Sequence, residues 1–208
     1  MREQARFEQD AMEDGPLADA YDAGVRSATA PVDAATGAAL RFLAAAIGAR
    51  AVVEVGTGCG TSGIWLLRGM ATDGILTTVD TRAEFQEYAR TAFSRAGFGA
   101  GRARLIRGSA LEMLPRLTDG GYDMVFVDAD PESAPHYLSE ARRLLRPGGV
   151  VVFNDATPVP SEPDGPLRVP DPAETAVREV IQQVREDESL IPLLLPIGQG
   201  LLAVIRGA

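Results

Sequence analysis

The chain has 208 residues, 46% of them hydrophobic, enough to bury one substantial core and to point to a single domain over 1–208. Its formal charge of −9 opposes nucleic-acid phosphates and anionic membranes, so neither is expected as a partner and a small neutral or cationic molecule suits the field better. A lone cysteine, Cys59, excludes an internal disulfide and a thiolate zinc cage, and every basic residue is arginine, with no lysine anywhere.

Met1 to Asp14 carries no apolar run, so neither a secretory signal nor an anchor is expected and the cytoplasm is the expected location. Residues 1–30 are polar and alanine-rich, which predicts one or two short amphipathic helices outside the sheet, an arm serving as a lid or in a dimer. Pro31 punctuates, Asp33 can cap, and Ala34–Ile47 is a strong helix with Leu40, Leu43 and Ile47 on one face. From Ala51 onward short β-branched runs alternate with helical stretches, the signature of an α/β domain with a parallel sheet. Strands are predicted at 51–55, 75–79, 103–106, 123–127 and 150–153, and helices at 62–70, 83–96, 110–117 and 134–145. Phe85, Ala89 and Phe93 fall at core-facing helical spacing, as do Trp65 and Leu66, while Arg142-Arg143 reads as a solvated face. Pro147-Gly148-Gly149 is expected as a turn before the fifth strand. Thr157–Pro170 is too long and polar for a mere connector and is expected as a flap over the site. Asp171-Pro172 opens a helix with Val177, Val180, Ile181 and Val184 as its stripe, and two apolar runs joined by Ile197-Gly198-Gln199-Gly200 form a terminal hairpin.

The densest chemistry lies in Val53-Glu54-Val55-Gly56-Thr57-Gly58-Cys59-Gly60-Thr61-Ser62, an apolar strand entering a glycine turn and then a helix. Glycines there let a ligand approach the main chain more closely than a Cβ permits, and the helix that follows aims free N–H groups at an anion. No Gly-Lys-Ser or Gly-Lys-Thr follows, which excludes a nucleoside-triphosphate loop; Cys59 reads as a small filler. About twenty residues on, Thr78-Val79-Asp80 ends the second strand with a carboxylate placed to accept both hydroxyls of a ribose. Two nucleotide cofactors satisfy this pattern: S-adenosylmethionine, whose carboxylate would take the helix N-terminus, and a nicotinamide dinucleotide, since Gly58 to Gly63 also reads G-x-G-x-x-G. Glu54 before the loop opposes a pyrophosphate and tolerates a cationic amino group, and the chain lacks a second mononucleotide half, so the first reading is preferred.

Together with Gly108-Ser109-Ala110, Phe126-Val127-Asp128-Ala129-Asp130 and Asn154-Asp155, these motifs resemble the cation-dependent O-methyltransferases that include the caffeoyl-CoA and catechol enzymes. The resemblance implies a Rossmann-like class I methyltransferase fold, a mostly parallel seven-stranded sheet with an antiparallel C-terminal hairpin, helices on both faces, and a homodimer. It implies that Val32 closes over S-adenosylmethionine, Glu54 faces its amino group, Gly56, Thr57, Gly58 and Ser62 hold its methionyl end, and Ala110 touches adenine. Asp130 and Tyr137 would lie beside cofactor or substrate, and the acceptor would be a small molecule bearing a hydroxyl, expected to be phenolic. The pattern departs from the family at two points. Asp128 and Asp155 match metal-binding aspartates, but Ala156 stands where the family has asparagine, which leaves two carboxylates for a magnesium ion; Asn154 precedes Asp155, and on an extended segment the two would face opposite ways. Pro131 stands where the family has a catalytic lysine, so the base would fall to His136 or to a metal-free Asp128. The alternative is a cofactor-binding protein that has lost catalysis with those residues.

Overall fold

Neighbouring residues of each central strand feed two different cores, and that double-sided pattern dictates a sheet covered on both faces. The computed structural model describes residues 15–157 and 171–207. In β1 (Ala51–Val55) Val52 joins one core while Val53 and Val55 join the other. In β4 (Tyr122–Val127) Met124 and Phe126 alternate with Val125 and Val127 in the same way. With β2 (Ile75–Asp80), β3 (Ala103–Arg107), β5 (Leu145–Phe153), β6 (Leu190–Leu195) and β7 (Leu201–Arg206) they form one sheet in the order β3-β2-β1-β4-β5-β7-β6. The first five strands are parallel, and β7 runs antiparallel to both β5 and β6. The expected terminal hairpin is present.

One face is covered by α1 (Gly15–Arg26), α2 (Ala34–Ala46), α3 (Thr61–Gly69) and α4 (Ala83–Arg95), which bury Leu17, Leu40, Ile64, Leu66 and Phe93. Because Leu17 and Ala20 are part of this core, the described part of the expected arm is integral to the domain body. The opposite face is covered by α5 (Ala110–Met113), α6 (Ala134–Leu144) and α7 (Pro172–Glu186) through Ala110, Leu138, Ala141, Val180 and Val184. Asp33 and Asp171 cap α2 and α7 through their carboxylates, accepting from Thr36 N and Glu174 N.

Several local expectations need correction. The ladder assigns β5 from Leu145, so Pro147-Gly148-Gly149 forms an irregularity in the strand where pairing jumps between Tyr122 and Met124. Phe85 is only half-buried, with the Arg82 guanidinium 4.7 Å from its ring centre. Gln86 takes the buried place next to it, donating 2.6 Å from Nε2 to the carbonyl of Ile106. Arg143 is a clamp, donating to the carbonyls of Leu114 and Leu117 and to the Glu140 carboxylate. The expected flap falls, from residue 158 to 170, outside the described residues, as does the segment before Gly15.

Candidate active site

The carboxyl ends of β1, β2, β4 and β5 converge on one cleft, and strand register decides which side chains meet there. Glu54 and Thr78 are partners across the parallel β1–β2 pair, so they share a sheet face, the one under α3. Ser62, in the first turn of α3, completes the set. Glu54 is fully buried and accepts 2.6 Å hydrogen bonds from the hydroxyls of Ser62 and Thr78, and Thr78 lies 2.7 Å from the hydroxyl of Thr57. Burial pushes the Glu54 carboxyl up to about 8, the two hydroxyls acting against it. Thr78 entered the motif Thr78-Val79-Asp80 without a role of its own; the parallel register with Glu54 is the signal that identifies one.

Asp80 ends β2 and gathers the loop. Its Oδ2 accepts from Thr57 N at 3.1 Å and Gly58 N at 3.0 Å, and its Oδ1 accepts from Arg82 N at 2.8 Å. Those bonds hold the glycine turn against β2 and leave the carboxylate part of its accepting capacity. Gly56 has φ +94°, and a Cβ on it would lie 2.1 Å from the carbonyl oxygen of Asp128, so only glycine lets β1 turn this close to the end of β4. The N-cap of α3, Gly60 (φ +95°), offers no side chain to the helix, and the first-turn N–H groups are left for a ligand. Thr61 Oγ1, buried beside this turn, has no hydrogen-bond partner among the described residues. A small cavity of about 30 Å³ lined by Pro31, Val32, Gly56, Thr57, Gly58 and Thr61 lies over it. The glycine cradle, the open helix end and the Asp80 carboxylate at the end of β2 together fit a nucleoside that carries a small anionic tail.

The ends of β4 and β5 present a different chemistry. Asp128 accepts a 2.8 Å hydrogen bond from the Asn154 amide, and burial, aided by the charge of Asp155, pushes its carboxyl up to about 6. Asp155 is also pushed up, by burial and by Asp33. Asn154 and Asp155 were expected on opposite faces, but Asp155 is left-handed (φ +51°), and both residues line the same cavities. One of these, about 500 Å³, opens between Tyr21, Val25, Val32 and Asp33 on one side and Asn154, Asp155 and Gln199 on the other. Another contains Asp128, Asp130 and Pro131 and reaches Val180 on α7.

The remaining candidates are less directly placed. Asp130 accepts from Tyr137 OH at 2.7 Å and from Ser133 N at 3.2 Å, so it closes the turn into α6. Tyr137 is buried, lines none of these three cavities, and has its phenol pushed up by burial and by Asp130. His136 is exposed between half-buried Pro135 and buried Tyr137 and lines none of the three either, because its position on α6 turns it away from the core face that Tyr137 and Leu138 occupy; of the two expected bases, His136 and Asp128, only Asp128 lines these cavities. Ala110 opens α5, two residues past Gly108, whose N–H donates to the carbonyl of Asp80. For the expected magnesium the donor set is poor. Among the described residues no three His, Cys, Asp or Glu side chains converge, and Asn154 turns its NH2 toward the Asp128 oxygen a cation would need. The residues present do not fit a resident metal.

A sheet in this strand order, with its glycine turn after β1 and its acid after β2, defines a class I methyltransferase fold. The methyltransferase domain family matches residues 53–156, which is half of the chain, and the chain belongs to that family. A relative from Mycolicibacterium vanbaalenii, named as an O-methyltransferase, is 49% identical over 194 residues, covering 93% of this chain and 85% of its own. Among solved structures, a Corynebacterium glutamicum protein superposes with a TM-score of 0.88 at 26% identity over 99% of this chain and 95% of that one. The O-methyltransferase TomG of Streptomyces achromogenes, solved in complex with S-adenosylmethionine, superposes with a TM-score of 0.82 at 30% identity over the full length of both chains.

Proposed function

We propose that the chain is an S-adenosylmethionine-dependent O-methyltransferase that acts, as one domain, on a hydroxyl of a small molecule. The observation that carries this reading is Asp80, whose carboxylate closes the glycine loop at Thr57 and Gly58 and stands where a ribose diol would arrive. The family membership and the cofactor held by TomG support it.

When bound, the cofactor supplies an activated methyl group that passes to the acceptor oxygen, leaving S-adenosylhomocysteine. The chain's own residues position that transfer. Gly56, Thr57, Gly58 and the start of α3 seat the amino-acid tail, Glu54 lies behind the loop to meet its amino group, and Val32 closes the cavity from the side of α2. Asp80 takes the ribose and Ala110 meets the base beyond it. The acceptor enters the larger cavity beside Asp155, where Tyr21, Val25 and Val32 offer an apolar wall suited to a phenolic ring. Asp128 does not line that larger cavity; it lines the cofactor cavity and the adjoining one toward Val180, which shares Asn154 and Asp155 with the larger cavity, and a buried carboxyl pushed up to about 6 is suited to receive the acceptor's proton near neutral pH. Asp130 and Tyr137 brace the turn that carries Asp128. Alignment of the two reactants supplies most of the rate.

A divergent, caffeoyl-CoA-like enzyme working without the family's lysine and asparagine is the finer assignment. The protein works as a homodimer in the cytoplasm, apart from nucleic acid and membrane. The edge strand β6 supports the dimer, with Ile191 58% and Leu193 52% exposed. No helix of the described residues is long and apolar enough to cross a membrane.

Calorimetric titration with S-adenosylhomocysteine and, in parallel, with reduced nicotinamide dinucleotide tests the cofactor. Binding of the first alone is expected, and binding of the second alone overturns the reading. Turnover with a panel of phenols, repeated with a magnesium chelator, is expected to survive the chelator.

A further inference from the structure

The two positions at which the chain departs from the family it resembles, Pro131 for lysine and Ala156 for asparagine, are far apart in sequence yet line one cavity. Pro131 opens the short helical turn that leads into α6, and that turn packs on α7. Ala156 follows β5 and is buried. Between them the walls are Ala134, Phe153, Val180 and Leu202, all buried. Among the described residues the polar members are Asp128, Asn154 and Asp155 at the strand ends, and Asp130, which Tyr137 and Ser133 already engage. A lysine would bring a charge to this lining and an asparagine an amide; the residues present bring only hydrocarbon. Both departures therefore act in one direction and make the corner beside Asp128 apolar. The cavity holds about 70 Å³, where one water needs about 10–15 Å³, so it accepts a group of several heavy atoms. Voids of that size are few in a close-packed domain, and one walled by hydrocarbon gains most from an apolar occupant. Asn154 and Asp155 also line the larger cavity, so an acceptor ring seated there has this cavity next to it.

We propose that this cavity is a subsite for an apolar substituent of the acceptor, of small-alkyl size and next to the reacting hydroxyl, so that the substrate class is an alkylated phenol rather than a catechol. The inference rests on the O-methyltransferase reading given above and deepens it. Asp128 lines the cavity too, so a substituent held there lies close to the oxygen whose proton Asp128 receives. A second phenolic hydroxyl in the same place would meet hydrocarbon on most sides, and among the described residues the donor set is too poor for a cation that would chelate it. The missing lysine and asparagine then mark a change of acceptor and not a loss of catalysis.

The test measures methylation of phenol, catechol and 2-ethylphenol, with S-adenosylmethionine as donor, by wild type, Ala156→Asn and Val180→Leu. Burial of two carbons predicts a wild-type kcat/KM about tenfold higher for 2-ethylphenol than for phenol, carried mainly by KM, with catechol no better than phenol. Ala156→Asn narrows the cavity and restores an amide, and it is expected to erase the preference for 2-ethylphenol over catechol. Val180→Leu fills the cavity from α7; it is expected to lower the ratio of 2-ethylphenol to phenol about tenfold, while the ligand-free protein melts no lower than wild type. A wild type that prefers catechol, or variants that keep the wild-type ratios, would overturn the subsite, and unchanged ratios with a more stable Val180→Leu would mark the cavity as a packing gap. Should one variant fail to fold, the other gives the same comparison. If S-adenosylhomocysteine binds in calorimetry and no phenol is methylated, the phenolic acceptor falls and this subsite with it. If S-adenosylhomocysteine does not bind, the cofactor reading itself falls, a result that the titration tells apart from failure of the subsite alone.

Discussion

Around the glycine loop Glu54, Ser62, Thr57 and Thr78 satisfy one another, and Asp80 is held by three main-chain N–H groups. At the ends of β4 and β5 the arrangement is sparser. Asp128 has the Asn154 amide, and the neighbouring charges that shift Asp128 and Asp155 are other carboxylates. In the first region the polar side chains behind the loop pair with one another before any ligand arrives; the second gathers carboxylates around a left-handed turn. A reaction that needs a cofactor fixed and a proton moved has reason to divide its cleft this way, since geometry serves the first task and a raised carboxyl serves the second.

The most severe way to break the first region is Gly56→Ala. A methyl group 2.1 Å from the Asp128 carbonyl, on a residue with φ +94°, must push β1 and β4 apart. A loss of about 3 kcal/mol in urea unfolding is expected, with cofactor binding abolished. Gly97→Ala is the control, because Gly97 has a similar φ of +86° with nothing among the described residues within 4 Å of its would-be Cβ. It is expected to cost about 1 kcal/mol and to leave binding intact. Equal costs at the two sites would show that strain alone, and not the junction of β1 with β4, makes Gly56 necessary.

The two regions also differ in how much of them could be read beforehand. The strands, the two capping aspartates and the loop with Asp80 follow from local patterns, because a glycine turn between an apolar strand and a helix has few solutions. Thr78 escaped that reading. Its role depends on register across two strands, which is not a local property. At Asn154-Asp155 the assumption of an extended backbone failed, since a left-handed aspartate is a rare choice that only tertiary surroundings enforce. His136 illustrates the converse: a residue type suited to catalysis, placed by helix periodicity on the outer surface.

Glu54 sharpens the comparison through pH. Its folded carboxyl is pushed up to about 8 from an ordinary 4.5, so across that window the folded chain keeps a proton that the unfolded chain has released. Stability contributed by the protonated form is present below the lower value and is lost as pH rises toward the upper one. Glu54→Gln removes the titration with little change of shape. Relative to wild type, its ligand-free stability is expected to improve by on the order of 2 kcal/mol between about pH 5 and pH 8, while its affinity for S-adenosylhomocysteine falls. A constant offset between the two melting curves across pH would mean that Glu54 is ionised in the folded chain.

Asp155 supplies the smallest effect and the most direct contrast. Its φ of +51° is unfavourable for an L-residue, and its carboxylate is pushed up by burial and then by Asp33, so the folded state is stabilised by replacing it. Glycine relieves the backbone at some cost in unfolded-state entropy, and Asp155→Gly is expected to gain about 0.5 kcal/mol by thermal unfolding. Turnover with a phenolic acceptor is expected to fall at the same time, while affinity for S-adenosylhomocysteine, which the loop side governs, stays unchanged. A variant both less stable and poorer in cofactor binding would show that the two halves of the cleft are coupled, because strain at the end of β5 would then be supporting the seat built between β1 and β2.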